Sequence, residues 1–162
     1  FYHESFWTKR SSRSTMHDLT PKQKRKARIT ALQVLYAQEF HGSDMDTTFE
    51  YMLDPEKTPA DDVITYSRHL CSLTMLHLDT TDGLIKKRSK NWDFERITIM
   101  DKIILRMSLT EMIFEDEVPP KVSITEGVEI AKKFSTSDSS SFINGILDSV
   151  YNDLVKVKEK LA

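Results

Sequence analysis

Apolar side chains recur at spacings of three and four residues along most of this chain, and no convincing run alternates strictly between apolar and polar residues. Only 4 Gly and 5 Pro occur among the 162 residues, and the prolines stand between the periodic segments rather than inside them. A chain of this length can build one well-buried core. These patterns predict an all-α fold of about six or seven helices.

Turn and capping residues divide the periodic segments. The first predicted helices run from about 21 to 40, from 44 to 53, and from a Thr58-Pro59 start to Ile85 or beyond. The next run from 97 to 114 and from a capping box at Ser123 and Glu126, and a final helix follows the serine-rich STSDSSS. Gly83 is a possible weak point of the third helix. The final segment carries a wide apolar stripe, which should be core: Phe142, Ile143, Ile146, Leu147, Val150, Tyr151, Leu154 and Val155.

The first helix begins with the sequence TPKQKRKAR, whose charges oppose the helix dipole. Thr20, Pro21 and Gln23 are typical of a capped helix start. Five cations follow within seven residues: Lys22, Lys24, Arg25, Lys26 and Arg28. The dipole favours anions at this end by about 0.3–1 kcal/mol each. A solvated face is one explanation, but a polyanion site is the better one, since phosphates would complement both the cations and the free amides of the first turn.

The formal net charge of −2 hides an asymmetry along the chain. Residues 1–28 carry eight basic and two acidic side chains, a net charge of +6, whereas the remainder carries −8. A basic end on an acidic body is typical of a chain that meets a polyanion at one place. A second basic cluster, consisting of Lys86, Lys87, Arg88 and Lys90, lies at a predicted helix C-terminus. The dipole explains that cluster better than a supplementary phosphate contact does.

No pattern in the sequence indicates catalysis. The five histidines lack metal-ligand spacing, and there is no phosphate-binding Gly-rich loop, nucleophile elbow or HExxH. We therefore expect no enzyme activity, no metal and no cofactor. Cys71 is the single cysteine, which favours a reduced, cytoplasmic setting, and no apolar run is long enough for a membrane span. Residues 1–19 are predicted to be a disordered extension, within which Met16 is an alternative start, and 20–162 a single domain.

The closing segment carries a second candidate contact region for nucleic acid. Phe134 and Phe142 flank the serine-rich turn, with Asp138 between them, and either ring could be buried or could stack on an unpaired base. The amide of Asn144 could read a base edge or tie down a neighbouring helix end. We explain Gly145, inside a predicted helix, by a close helix crossing.

These segments, in this order, resemble the NusB family of bacterial transcription antitermination factors over most of residues 24–152. The opening motif of the family is met by KRKARITALQVLY, its middle motif by MDKIILRMSLTEM, and its closing motif by VPPKVSITEGVEIAKKFSTSDSSSFINGILDSV. The closing motif is the most specific of the three. Many members have Gly where this chain has Ser135, and a basic residue where it has Ser141.

The resemblance implies a bundle of two packed three-helix-type subdomains, here about 20–90 and 91–162, without catalysis. It implies binding to the boxA element of ribosomal RNA leader transcripts together with NusE, a small-subunit ribosomal protein, and indirect association with other Nus factors and RNA polymerase. The RNA-binding positions carried over from the motifs are Lys24, Arg25, Arg28, Phe134, Asp138, Phe142 and Asn144, with Lys22 and Lys26 as supplementary contacts.

Two alternatives stay open at the level of sequence. The same helical domain occurs in ribosomal RNA cytosine methyltransferases, so the chain could be a detached RNA-binding domain of such an enzyme. A longer reading frame that continues past Ala162 would favour this alternative. The chain could also be a helical adaptor that binds only protein, in which case its cations would face an acidic partner.

Overall fold

The computed structural model describes residues 19–54, 56, 60–89 and 93–161, and all regular secondary structure in these residues is helical. Seven α-helices follow one another: α1 (Pro21–His41), α2 (Met45–Met52), α3 (Asp61–Leu76), α4 (Leu78–Arg88), α5 (Ile99–Phe114), α6 (Pro120–Phe134) and α7 (Ser137–Leu161). A 3-10 turn at Phe94–Arg96 precedes α5. The all-α prediction is confirmed. Within the described residues, no helix combines the length and the apolar character that a membrane span needs.

Helix α1 begins and ends as its sequence predicts. The Gln23 amide donates to Thr20 Oγ1 at 3.1 Å, and the Thr20 amide donates to Gln23 Oε1 at 2.9 Å, which completes a capping box. At the other end Gly42 has φ = 61°, the left-handed conformation that glycine adopts without strain. Leu19, which the sequence placed in a disordered extension, is buried in the core.

The long third helix of the prediction is two helices, and the break falls at His77 rather than at Gly83. His77 ends α3 and precedes α4 with φ = −109° and ψ = 21°. Its ring stacks on Phe114, with the ring centroids 3.6 Å apart. Gly83 lies inside α4. The predicted Thr58-Pro59 start lies outside the described residues, and α3 itself begins at Asp61.

The capping box predicted at Ser123 and Glu126 is wrong, because α6 begins three residues before Ser123, at Pro120. Pro120 suits a first-turn position, since its missing amide proton has no intrahelical partner there. Ser123 and Glu126 therefore lie inside the helix. Their side chains form tertiary contacts instead of capping the helix.

Helix α5 is the centre of the bundle. It packs against α1, α3, α4, α6 and α7, and most of its residues from Asp101 to Met112 are buried. The division into subdomains near residue 90 stays a prediction. At that boundary α4 packs on α5 and α7, so α5 connects the helices on both sides.

Two helical glycines have opposite surroundings, and the close crossing predicted for Gly145 is wrong. A Cβ built on Gly145 would have no heavy atom within 4 Å, so this glycine is not required by packing. A Cβ on Gly127 would lie 2.5 Å from Ser108 Oγ and 3.2 Å from Leu147 Cδ1. The close approach of helices therefore occurs at Gly127, where α6 meets α5 and α7.

We expect Gly145→Ala to raise the free energy of unfolding by about 0.5–1 kcal/mol, because alanine has the higher helix propensity and meets no neighbour. Gly127→Ala should lower it by about 1–3 kcal/mol through overpacking. Urea unfolding followed by circular dichroism measures both. Equal effects of the two substitutions would contradict this assignment of the crossing.

Candidate nucleic-acid interface

Four cations surround the first turns of α1, and we call Lys22, Lys24, Arg25 and Lys26 the helix-start cations. Lys22 and Lys26 are exposed and Lys24 is half-buried. Within the described residues, none of these three lysines forms an ion pair. No acidic residue stands in the first turn of α1. Their positive charge is therefore available to an anion at this helix end.

Arg25 is the helix-start cation that has a protein partner. Its Nε and Nη2 atoms donate to the two carboxylate oxygens of Glu126 at 2.9 and 3.0 Å. These hydrogen bonds, with the charge of Glu126, raise the pKa of Arg25. The Arg25 side chain keeps 47% of its surface exposed. This bidentate ion pair connects the start of α1 to the middle of α6.

Arg28 is in the core, unlike the other cations of the cluster. Its side chain is 5% exposed, and its Nε donates to both Glu111 oxygens at 3.0 and 2.9 Å. Tyr66 Oη and Ser123 Oγ also donate to Glu111, at 2.5 and 2.9 Å. The sequence assigned Arg28 to RNA. In the structure a phosphate would first have to separate it from Glu111, so we do not include it among the proposed contacts.

The protonation states of this buried group follow from its contacts. Burial disfavours the charged guanidinium of Arg28, but the charge and hydrogen bonds of Glu111 outweigh that effect and raise the pKa of Arg28. Burial, and then the negative charge of Glu111, raises the pKa of Tyr66 far above its ordinary value. The phenol therefore stays protonated and donates to the carboxylate. The ion pair joins α1 to α5, with α3 and α6 supplying the hydroxyl donors.

The serine-rich turn between α6 and α7 is tied to the start of α5. Asp101 is buried, and its two carboxylate oxygens accept from Ser135 Oγ and Ser139 Oγ, each at 2.8 Å. Thr136 Oγ1 accepts from the Ser139 amide at 3.1 Å, which caps α7. Ser135 has an extended backbone and no φ that requires glycine. The turn is thus fixed without the glycine common in the family.

The predicted base-contacting residues surround this turn. Phe134 and Phe142 are half-buried and pack against the hydrophobic core. Asp138, in the first turn of α7, and Asn144, two turns further, are exposed. Two half-buried rings and two exposed polar side chains therefore lie near this turn. Whether they touch RNA stays a prediction.

Lys133 connects the two halves of the surface, and its role was not predicted from the sequence. It lies seven residues after Glu126 on α6, a spacing that places both on one side of the helix. Lys133 is exposed, and its Nζ is 5.6 Å from the centre of the Phe134 ring. At 1.5 Å per residue, Glu126 and Phe134 are about 12 Å apart along α6. The seven-residue spacing of Glu126 and Lys133 is the sequence feature that could have predicted this shared side of α6.

The described residues contain no group of three or more His, Cys, Asp or Glu side chains that could hold a metal ion. The Cys71 thiol is buried, and that burial raises its pKa to about 12. The thiolate, which is the nucleophilic form, is therefore disfavoured at neutral pH.

The helix-start cations and Lys133 together suit the binding of an anionic chain along α6.

These features define an all-α protein with a cationic helix start and a polar, aromatic turn on one surface. The NusB family model matches residues 25–152. A protein of Chloroherpeton thalassium named transcription antitermination protein NusB is 39% identical over 132 residues, which are 81% of this chain and 62% of that protein. The chain thus spans less than two thirds of the length of that relative. It belongs to the NusB family.

Solved structures of the family have the same fold. Thermotoga maritima NusB superimposes with a TM-score of 0.70 at 31% identity, over 81% of this chain and 90% of that one. A chain from a crystal structure of antitermination factors NusB and NusE in complex with dsRNA gives a TM-score of 0.73 at 23% identity, over 83% of this chain and 99% of that one. The second likeness concerns the fold alone.

Glu111→Gln should lower the free energy of unfolding by roughly 3–5 kcal/mol, because the Arg28 charge would remain buried without its counter-charge. The double variant Arg28→Met, Glu111→Leu should be more stable than Glu111→Gln, since it leaves no buried charge. Urea unfolding at neutral pH compares them. A double variant less stable than Glu111→Gln would contradict the buried-pair interpretation.

Tyr66→Phe tests the raised pKa of the phenol. Between pH 10 and 11 the unfolded chain loses the Tyr66 proton while the folded chain keeps it, so this group's contribution to stability is complete below about pH 10 and falls above it. Removing the phenol should make the decline of stability above pH 10 shallower, by up to about 1.4 kcal/mol per pH unit. It should also cost about 1–3 kcal/mol at neutral pH, since Glu111 loses a donor.

Urea unfolding between pH 9 and 11 measures this effect. Tyr51→Phe is the matched control, because that side chain is 81% exposed. An equal change of slope in both variants would show that Tyr66 ionises normally in the folded protein.

Proposed function

We propose that this protein is a transcription antitermination factor that binds single-stranded, boxA-type RNA of ribosomal RNA leader transcripts. The observation that carries the proposal is the series of groups from the helix-start cations, through the Arg25–Glu126 contact and Lys133 on α6, to the exposed Asp138 and Asn144 at the start of α7. Cations attract the RNA backbone and set affinity, while the polar and aromatic groups of the turn contact bases and set preference. The relative from Chloroherpeton thalassium carries an antitermination name, which supports this activity.

We further propose that NusE is the protein partner and that the pair acts within an RNA polymerase elongation complex, with other Nus factors, in the cytoplasm. The support is the fold, which is shared with the NusB chain of a NusB, NusE and dsRNA crystal structure. The protein contributes binding rather than catalysis in this proposal. No metal or cofactor takes part in it.

Gly145 supports an RNA-facing role for the start of α7. A glycine inside a helix costs about 1 kcal/mol relative to alanine, and here no helix crossing requires it. It stands beside the exposed Asn144. A missing Cβ at this place lets a nucleotide come close to the backbone, which gives the glycine a functional reason.

The decisive experiment compares a boxA-like RNA with a scrambled RNA of equal composition, each with and without NusE, by filter binding. We expect preference for the boxA-like sequence, increased by NusE. Equal binding of both RNAs in the presence of NusE would contradict sequence recognition. Absence of any RNA binding would contradict the function itself.

The salt dependence of RNA binding tests the helix-start cations. Each phosphate neutralised on a single strand contributes about −0.7 to the slope of log K against log salt, so contacts by three or four cations predict about −2 to −3. Lys24→Gln with Arg25→Gln should make the slope shallower by about 1.4. The pair Lys156→Gln, Lys160→Gln, near the far end of α7, removes the same charge and should not. A slope near zero for the unmodified protein would exclude phosphate contacts.

Asp138→Asn tests the role of the carboxylate in the turn. The substitution keeps the shape and removes a charge that repels phosphates, so RNA binding should tighten or stay unchanged. Glu159→Gln is the control on the same helix, 21 residues further and about 30 Å away, and beyond the Debye length at physiological salt. A tenfold loss of affinity in Asp138→Asn alone would show that the carboxylate accepts an essential hydrogen bond.

A further inference from the structure

We propose that Lys86, Lys102 and Phe94, which we call the ring patch, form a second contact for the backbone of single-stranded RNA. The Lys86 and Lys102 Nζ atoms lie 4.8 and 4.4 Å from the centre of the Phe94 ring. The inference rests on the proposed RNA-binding function and extends the RNA footprint to the start of α5. It assigns an RNA-binding role to Lys86, one member of the second basic cluster, in addition to its favourable place in the helix dipole.

Three separate segments bring the ring patch together. Lys86 lies in the last turn of α4, where a cation favours the dipole, whereas Lys102 follows the first turn of α5, at the end where it does not. Phe94 lies in the 3-10 turn before α5 and packs against the core. Because the ring is held by packing, it gives the two lysines a common contact point.

The charge of the ring patch is uncompensated by protein. Within the described residues, neither Lys86 nor Lys102 forms an ion pair. Arg106, 6.0 Å from the same ring, differs from them because Asp82 holds its guanidinium at 2.7 and 2.9 Å. A ring face attracts a cation, but two ammonium groups beside one ring also repel each other. A phosphate near both would remove that repulsion.

The position of the ring patch favours RNA over other polyanions. Lys102 directly follows Asp101, whose carboxylate holds Ser135 and Ser139 of the turn between α6 and α7. A strand that runs from the helix-start cations along α6 to this turn would next meet the start of α5. Lysines beside an aromatic ring are also common where proteins follow a single strand.

The test uses Lys86→Gln with Lys102→Gln in the full chain and two RNAs that share their boxA-like part. One RNA has about 6 nucleotides and the other about 16, a range typical of single-strand sites. The double variant should weaken binding of the longer RNA about tenfold at low salt and make its salt slope shallower by about 1.4, two contacts at about 0.7 each. Binding of the shorter RNA should change less than twofold.

A charge-matched control is Lys87→Gln with Lys156→Gln. Lys87 is the exposed neighbour of Lys86 but is not among the cations that contact Phe94. The control should leave the salt slope for both RNAs within error of the unmodified protein. Equal losses in the control and in the double variant would overturn the proposal, because they would reflect net charge alone.

Phe94→Leu tests the ring as a positioning residue. It keeps the lysines and an apolar side chain, so affinity for the longer RNA should fall about threefold while the salt slope stays unchanged. A change of slope would overturn the positioning role.

The failure of this proposal is distinguishable from that of the proposed function. If Lys24→Gln with Arg25→Gln weakens both RNAs while the ring-patch variant binds the longer one normally, the ring patch is not an RNA contact and the function stands. The ring patch is excluded as an RNA contact in that case even if the variant has lost binding to a protein partner. If the unmodified protein binds neither RNA, both proposals fall.

Discussion

The buried ion pair between Arg28 and Glu111 is the interaction on which the arrangement of helices depends. It joins α1 to α5 through two residues that are 83 positions apart in the chain. Hydroxyl groups from α3 and α6 supply the remaining hydrogen bonds to the carboxylate. Removing two charges from water costs several kcal/mol per ion, so such a pair persists only when its geometry and hydrogen bonds are good. Three different side chains donate to Glu111, which meets that condition for the carboxylate, whereas Arg28 Nη2 is buried without a hydrogen-bond partner. Helices α1, α3 and α6 are thereby held in one register around α5.

This core contact also determines what the surface presents. Arg25 and Arg28 are three residues apart on α1, yet Arg25 lies at the surface and Arg28 points into the core. Because Arg28 is fixed on α5, α1 cannot rotate about its axis, and the helix-start cations must face outward beside α6. The buried pair thus positions a binding surface in which it takes no direct part.

The sequence predicted the elements of this fold better than the environment of individual side chains. Capping chemistry placed both ends of α1, because Thr20, Gln23 and Gly42 act through local backbone contacts. It failed at Ser123 and Glu126, whose spacing matches a capping box but whose partners, Glu111 and Arg25, come from other helices. Local rules cannot show which helix a polar side chain will meet. The residue at the break, His77, likewise contacts a ring from another helix, Phe114 of α5.

Arg28 shows how the environment of one candidate residue was misjudged. It shares the spacing of the apolar residues Ala31, Leu32 and Leu35, so the periodicity of α1 contained the signal that it would be buried. Its neighbours in a run of cations concealed that signal. The exposure of Lys22, Lys26, Asp138 and Asn144 agrees with their polar character, and their contact with RNA stays a prediction. Lys133 and Asp101 were not recognised, since their roles appear only when α5, α6 and the turn are assembled.

The contact between Arg25 and Glu126 sets a condition on RNA binding at this surface. An ion pair this exposed contributes roughly 0–1 kcal/mol, because solvent screens it. A phosphate can therefore replace Glu126 as the partner of Arg25 without a large loss of stability, whereas it cannot replace Glu111 as the partner of Arg28. Glu126, once released, would still have a cation beside it, because its Oε2 lies 3.9 Å from Arg28 Nη1. Burial thus gives the two arginines different roles. The exposed Arg25 can exchange Glu126 for a phosphate, whereas the buried Arg28 keeps α1 in place.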